Sequence, residues 1–282
     1  MMGIGLLLDL SGNDRYSGDT GTQGAGAFGI GFLRDHSGND LYSSHFLSQG
    51  FGFTSGFGSI ADLEGNDLYF AGGKYRDWLR YEDHFLSLSQ GFGYGIRPFA
   101  SGGIGILADG KGNDTYISDI FGQGSSYWFS LGSLVDLQGN DKYSSYQYAQ
   151  GCGTHLTIGT LLDLEGNDDY VSKGVSQGCG HDLSLGLLYD EKGNDNYSAY
   201  DLSQGAGNAN GIGILMDREG KDNYLVRDPL NTHGYGNFRR EYGSIGLFLD
   251  LGGEDGYSGY GGDNGYWGGS KYGIGVDKGN EK

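Results

Sequence analysis

Apolar residues in this chain do not recur at helical spacing. They sit in short segments of alternating character, each ending on an aspartate, as in Gly103-Ile104-Gly105-Ile106-Leu107-Ala108-Asp109. Two residues before that aspartate stands Leu, Ile or Phe in nine successive copies, from Leu7 to Phe248. Five residues before it stands Ile, Leu or Phe in the same nine, and four before it a glycine in all ten, from Gly5 to Gly273. Alternation over five to seven residues predicts a β-strand with one buried face. The segment D-x-x-G-x-D-x-Y then follows nine times, and it predicts a turn leading into a second short strand around the tyrosine. Beyond it comes Gln-Gly at Gln49, Gln123, Gln150, Gln177 and Gln204, thirteen residues before the next aspartate. Gln23 is one residue closer, Gln90 is displaced, and Asn264-Gly265 fills the slot in the last copy.

The leading aspartates are Asp9, Asp35, Asp62, Asp109, Asp136, Asp163, Asp190, Asp217 and Asp250, with a truncated tenth copy at Asp277. Most are 27 residues apart. A fixed period of this size means stacked repeats. Twenty-seven residues suit three strands and three turns, so the predicted fold is an all-β parallel β-helix, a β-solenoid of about ten coils, with three large core side chains per coil. Right-handed winding is the default for parallel crossovers. Residues 1–282 read as one domain.

Composition agrees. Glycine supplies 59 residues and proline only 2, which excludes collagen, and aromatic residues at 14% argue against disorder. So much glycine is costly in helices. The formal net charge is −18, and it belongs to the repeat. The ten leading aspartates are joined by Asp14, Asp40, Asp67, Asp114, Asp141, Asp168, Asp195, Asp222 and Asp255; without these nineteen the net charge would be +1. Nucleic acid is a poor partner for such a chain, and cations are good ones.

Stacking places like residues in columns. Nine tyrosines from Tyr16 to Tyr257 form an aromatic column, seven asparagines from Asn13 to Asn194 an amide column, and the glutamines another. Carboxylates stacked ~5 Å apart repel by roughly 3 kcal/mol per neighbouring pair at an effective dielectric constant of 20. Three remedies are open: capping by backbone N–H groups of the G-N-D turn, protonation, or Ca²⁺ between coils with carboxylates and turn carbonyls as ligands.

The segment G-N-D-x-Y resembles the second half of the calcium-binding nonapeptide G-G-x-G-x-D-x-U-x of repeats-in-toxin proteins. Gly65, Asp67 and Tyr69 match its fourth, sixth and eighth positions. The resemblance implies Ca²⁺ at Asp14, Asp40, Asp67, Asp114, Asp141, Asp168, Asp195, Asp222 and Asp255. Two departures stand out: the opening G-G is replaced, for example by Asp62-Leu63, and the motif recurs once per coil instead of head to tail.

Three insertions break the period, near residues 70–84, 93–103 and 225–242. They carry Lys74, Arg76, Arg80, Arg97, Arg227, Arg239 and Arg240, seven of the 18 basic residues, together with Tyr75, Trp78, His84 and His233. Insertions in repeat proteins often map to a binding face. Tyr75, Trp78, Arg80, His84, Arg97, His233 and Arg239 are therefore the candidate ligand-binding residues, with carbohydrate or another surface protein as partner. Cys152 and Cys179 each follow their glutamine by two residues, which stacks them as a buried thiol pair or a disulfide. His155 and His181 raise a zinc site, but their offsets from the glutamines differ.

No transmembrane span or secretory signal is visible, and the chain starts and ends inside a repeat, which points to a piece of a longer protein. The expected function is a non-catalytic, extracellular or cell-surface structural and binding module stabilised by Ca²⁺. A carbohydrate-active β-helix enzyme using Arg80, His84 and Arg97, and a metal-free interaction module, are the alternatives.

Overall fold

The computed structural model describes residues 2–279, and they form the predicted parallel β-solenoid. Its first sheet has eleven strands, beginning with Ile4–Leu8, Ile30–Arg34 and Phe57–Ala61. A second sheet of nine strands runs from Arg15–Ser17 to Gly256–Tyr257. The third has five two-residue strands: Gly93–Tyr94, Ser126–Tyr127, Gly153–Thr154, Gly180–His181 and Gly207–Asn208. The one helix among the described residues is a 3-10 turn, Pro229–Asn231.

Neighbouring coils are in register, so each repeat position becomes a column. Gly105 pairs with Gly132, Tyr116 with Tyr143, and Ser126 with Gly153. In the strand Ile158–Asp163, burial alternates residue by residue. Leu161, two before the aspartate, lies in the core, whereas Ile158, five before it, remains 44% exposed. The strand therefore supplies one large core side chain per coil beside the tyrosine, and the third expected one comes from the corner around the glutamine, as Leu88, Phe92 and Phe121 in the middle coils and, smaller, as Val175 further on. The three-residue offset between the two apolar positions is odd, and odd offsets face opposite sides of a strand. Glutamine fills the third corner: the buried Gln150 donates through Nε2 to the carbonyls of Tyr143 at 3.1 Å and Val171 at 3.1 Å, tying its own coil to the next.

The inward glycine four before the aspartate is a packing requirement. A Cβ on Gly132 would lie 1.9 Å from the Ser125 carbonyl oxygen across the narrow interior. The Gln-Gly pair turns the chain with both residues at positive φ, 55° at Gln49 and 74° at Gly50.

The insertions leave the columns intact. The first folds into a hairpin of Arg76–Asp77 and Tyr81–Phe85, the second into a loop closed by a bridge between Ile96 and Ala100, and the third ends in a hairpin of Phe238–Arg239 and Tyr242–Gly243. At the far end, Tyr266–Gly268 pairs antiparallel with Gly273–Asp277. Trp267 lies across Gly275, packs on Phe248 and Tyr257, and donates to the His233 carbonyl at 3.0 Å.

Candidate metal columns and insertion face

The two aspartate columns and the tyrosine column share one corner of the solenoid. Tyrosine rings stack with centroids 4.7 to 5.0 Å apart from Tyr16 to Tyr257. Each of the first seven hydroxyls donates to the leading aspartate of the following coil, for example Tyr116 to Asp136 Oδ2 at 2.7 Å and Tyr197 to Asp217 Oδ2 at 2.8 Å.

The second column is capped across coils. Oδ1 of Asp141 accepts the backbone N–H of Asp114 at 2.6 Å, Oδ1 of Asp168 that of Asp141 at 2.6 Å, and the series runs unbroken from Asp40 to Asp255. Capping by the aspartate's own turn, the local arrangement expected from the sequence, is instead found at three aspartates of the leading column, while Oδ1 of Asp35, Asp62, Asp109, Asp136, Asp163 and Asp217 has no partner. Asp9 accepts from Leu10, Asp190 from Lys192, and Asp250 from Gly252.

Backbone capping leaves half of each second carboxylate unused. Oδ2 of Asp40, Asp67, Asp114, Asp141, Asp168, Asp195, Asp222 and Asp255 is buried and has no hydrogen-bond partner. Aspartates of this column also stand in tight acidic groups. One oxygen each from Asp62, Asp67 and Asp109 lie within 4.8 Å of one another, as do those of Asp35, Asp40 and Asp62, and of Asp141, Asp163 and Asp168. Burial pushes the carboxyls of Asp67, Asp114, Asp141, Asp168, Asp195 and Asp222 upward; neighbouring carboxylates add to the rise, and the amide from the preceding coil opposes it. Asp250 is raised to about 8, by burial first and then by Asp217 and Asp255. Asp40 and Asp255, nearer the ends, are raised to about 6. Such groups hold either protons or cations. Their donors are all hard oxygens, which suits Ca²⁺ rather than a thiophilic metal.

The insertion residues distribute over one flank. The Tyr75 hydroxyl donates to Asp19 at 3.1 Å, beside the Lys74–Asp19 ion pair. Trp78 is 71% exposed, with the Arg76 guanidinium 5.4 Å from its ring centroid. Arg80 pairs with the buried Asp77 at 2.7 Å and lies 4.9 Å from the Phe121 centroid. His84 bonds Asp119 through Nδ1 at 2.7 Å, its ring stacked 3.5 Å from that of Tyr146. Arg97 lies over Trp128 at 5.4 Å and reaches the His155 ring at 3.4 Å. Arg239 is exposed on the third insertion's hairpin. Arg80, His84 and Arg97 thus engage different partners and do not converge.

His233 is a correction. It is fully buried and packs on Phe248 and Tyr257. With Gly234 it takes the Gln-Gly slot, at φ 48° and 74°, and burial lowers its imidazole to about 4. It belongs to the core columns and does not face the insertion surface. Cys152 and Cys179 are free, buried thiols, and burial raises that of Cys179. The Nδ1 atoms of His155 and His181 are engaged by Asp182 at 2.5 Å and Asn208 at 2.8 Å.

The structure also brings together residues the repeat spacing did not single out. The first two insertions wall a cavity of about 670 Å³ whose floor includes Phe53, Tyr94 and Tyr127. Beside it, Asp182 holds both His155 and Arg240. Among the described residues, no helix is long and apolar enough to cross a membrane. Compared with known protein families, curated proteins and solved structures, the chain matches none.

Proposed function

We propose that this chain is a non-catalytic structural and binding solenoid of an extracellular or cell-surface protein, clamped between coils by Ca²⁺. The observation that carries the reading is the row of eight buried Oδ2 atoms without partners, on aspartates of which Asp40, Asp67, Asp114, Asp141 and Asp168 stand in close groups of carboxylates. A buried acceptor without a donor is costly, and a buried charge more so. A hard divalent cation in the groups Asp35–Asp40–Asp62, Asp62–Asp67–Asp109 and Asp141–Asp163–Asp168 would satisfy those oxygens and cancel their repulsion. Extracellular Ca²⁺ modules work at ~10⁻⁴–10⁻³ M, so sites of modest affinity would be filled there. The separate partners of Arg80, His84 and Arg97 support the non-catalytic half of the reading.

The test is a thermal melt followed by circular dichroism, in about 1 mM Ca²⁺ and then in excess chelator. A large rise in melting temperature with Ca²⁺ is expected. Superimposable curves would leave protons in the columns and remove the cation from the account.

A further inference from the structure

The third sheet carries a ladder of side chains that changes character along the axis, from half-buried aromatic rings to a polar end in which Thr154 and Asn208 are buried. Phe53 stacks on Tyr94 with centroids 5.7 Å apart, and Tyr94 is followed by Tyr127 at 5.8 Å. The same register continues with Thr154, His181 and Asn208. The aromatic rungs floor the 670 Å³ cavity, which Trp78, Arg80 and Ile96 of the first two insertions flank. The polar end carries cations. Tyr127 meets the His155 ring edge-on at 5.0 Å, and Arg97 lies 3.4 Å from both His155 ring nitrogens. Arg240, from the third insertion, binds Asp182, the same carboxylate that accepts from His155 Nδ1 at 2.5 Å. Arg97 and Arg240, 143 residues apart in sequence, are thus linked through His155 and Asp182, a carboxylate only 4% exposed that both His155 and Arg240 engage. Arg239 is near enough to help depress His181, after burial and His155. Positive charge is in local excess on a protein of net charge −18.

We propose that this face binds an acidic polysaccharide. Sugar rings lie against Phe53, Tyr94 and Tyr127, with Trp78 at the cavity mouth, and a carboxylate or sulfate on the polymer is held by Arg97 and Arg240. The apolar surface that these rings leave in the cavity offers contact to the C–H groups of sugar rings, and guanidinium groups take anionic oxygens through paired N–H donors. A peptide cannot add as a strand here, because the ladder's backbone groups are spent between coils: Tyr94 N–H bonds the Gly52 carbonyl and Gly95 N–H that of Tyr127. A nucleic-acid duplex, with a charge every ~1.7 Å, demands far more cations than this cluster holds. The inference deepens the binding half of the reading above and is independent of the cation columns.

The full chain is titrated by calorimetry with oligogalacturonate, with a chondroitin sulfate oligosaccharide, with a neutral cello-oligosaccharide and with poly-glutamate, at two salt concentrations and with and without Ca²⁺. Salt-sensitive binding of one or both acidic glycans is expected, and the two distinguish a carboxylate from a sulfate preference. Arg97→Ala weakens it at least about tenfold, as loss of a charge-assisted contact does. Trp78→Ala weakens it several-fold, and both variants melt with the parent because both side chains are exposed. No binding of either acidic glycan, equal binding of poly-glutamate, or an unchanged affinity in Arg97→Ala would overturn the proposal. Glycan binding with a melt indifferent to Ca²⁺ sinks only the column reading; the converse sinks only this one.

Discussion

The hydroxyl of Tyr69 donates to Oδ2 of Asp109 at 2.7 Å across 40 residues of sequence, and that of Tyr143 donates to Oδ2 of Asp163 at the same 2.7 Å across 20. The two insertions that separate the first pair are extruded so completely that the inter-coil bond is unchanged. Tyr69 and Asp109 are both buried. Removing the hydroxyl leaves an acidic oxygen without its donor, so Tyr69→Phe is expected to destabilise the stack by about 1–3 kcal/mol. Urea denaturation of the variant against the parent checks this, and an unchanged midpoint would show that the bond contributes nothing.

The pH dependence of the metal-free stack has a defined sign. Free aspartate titrates near ~3.9, whereas Asp40 and Asp255 are raised to about 6 and Asp250 to about 8. Below ~4 both folded and unfolded chains are protonated and nothing is lost. As pH rises beyond that, the unfolded chain gives up protons that the folded one retains, so stability falls until the folded groups ionise near 8. Denaturant midpoints of metal-depleted protein should therefore drop between pH 6.5 and pH 8, above the range in which the buried His181 and His233, lowered to about 4, oppose the carboxyls. A rise over that interval would contradict the burial of these carboxyls.

Proton release gives the matching expectation for Ca²⁺. A cation entering groups that hold protons at neutral pH must displace them. Calorimetric titration of Ca²⁺ at pH 7 in two buffers of different ionisation enthalpy should show heats that differ in proportion to the protons released. Buffer-independent heats would mean that Ca²⁺ binds elsewhere.

Asp168→Asn separates proton from cation by the sign of its effect. Oδ2 of Asp168 is buried without a partner, and the residue is grouped with Asp141 and Asp163, one oxygen of each lying within 4.8 Å of the others. An amide at that position keeps an acceptor for the Asp141 N–H and turns a donor toward the remaining carboxylates. In chelator the substitution should stabilise by about 1–3 kcal/mol, and in Ca²⁺ it should destabilise by a similar amount. The same sign in both conditions would rule out a cation at this group.

Gly132→Ala and Gly5→Ala test the narrowness of the interior. They occupy the same repeat position, but a Cβ at Gly132 meets backbone at 1.9 Å and one at Gly5 meets nothing within 4 Å. The former is expected to cost more than about 3 kcal/mol and the latter to remain within about 0.5 kcal/mol of the parent in denaturant melts.

The solenoid was legible because every coil repeats the same register, so the period alone fixes which residues stack. What happens between columns was less so. Tyrosine reads as an aromatic column, and nothing in its spacing says that its hydroxyl reaches an aspartate one coil on. His233 looked like a loop residue because the insertion moved it off the expected offset, although His-Gly replaces Gln-Gly in one continuous column. The partner of His155 was within reach. His155 and Asp182 each stand five residues after their glutamine, so they stack in adjacent coils, but the comparison with His181, one position off, hid the match. Arg240 was beyond reach, because a hairpin sets its direction and no repeat does.

From Asp14 to Asp222 the amide of each second aspartate reaches the carboxylate of the next coil, and the tyrosine bonds reach no further than the next coil either. No interior coil depends on its ordinal place. Duplication or loss of one 27-residue unit would therefore restore every such bond, and slippage during replication could lengthen or shorten the array without an intermediate that fails to fold. Coil number is then free to vary, while Trp267 and its antiparallel strand cover Gly275 in the last described coil.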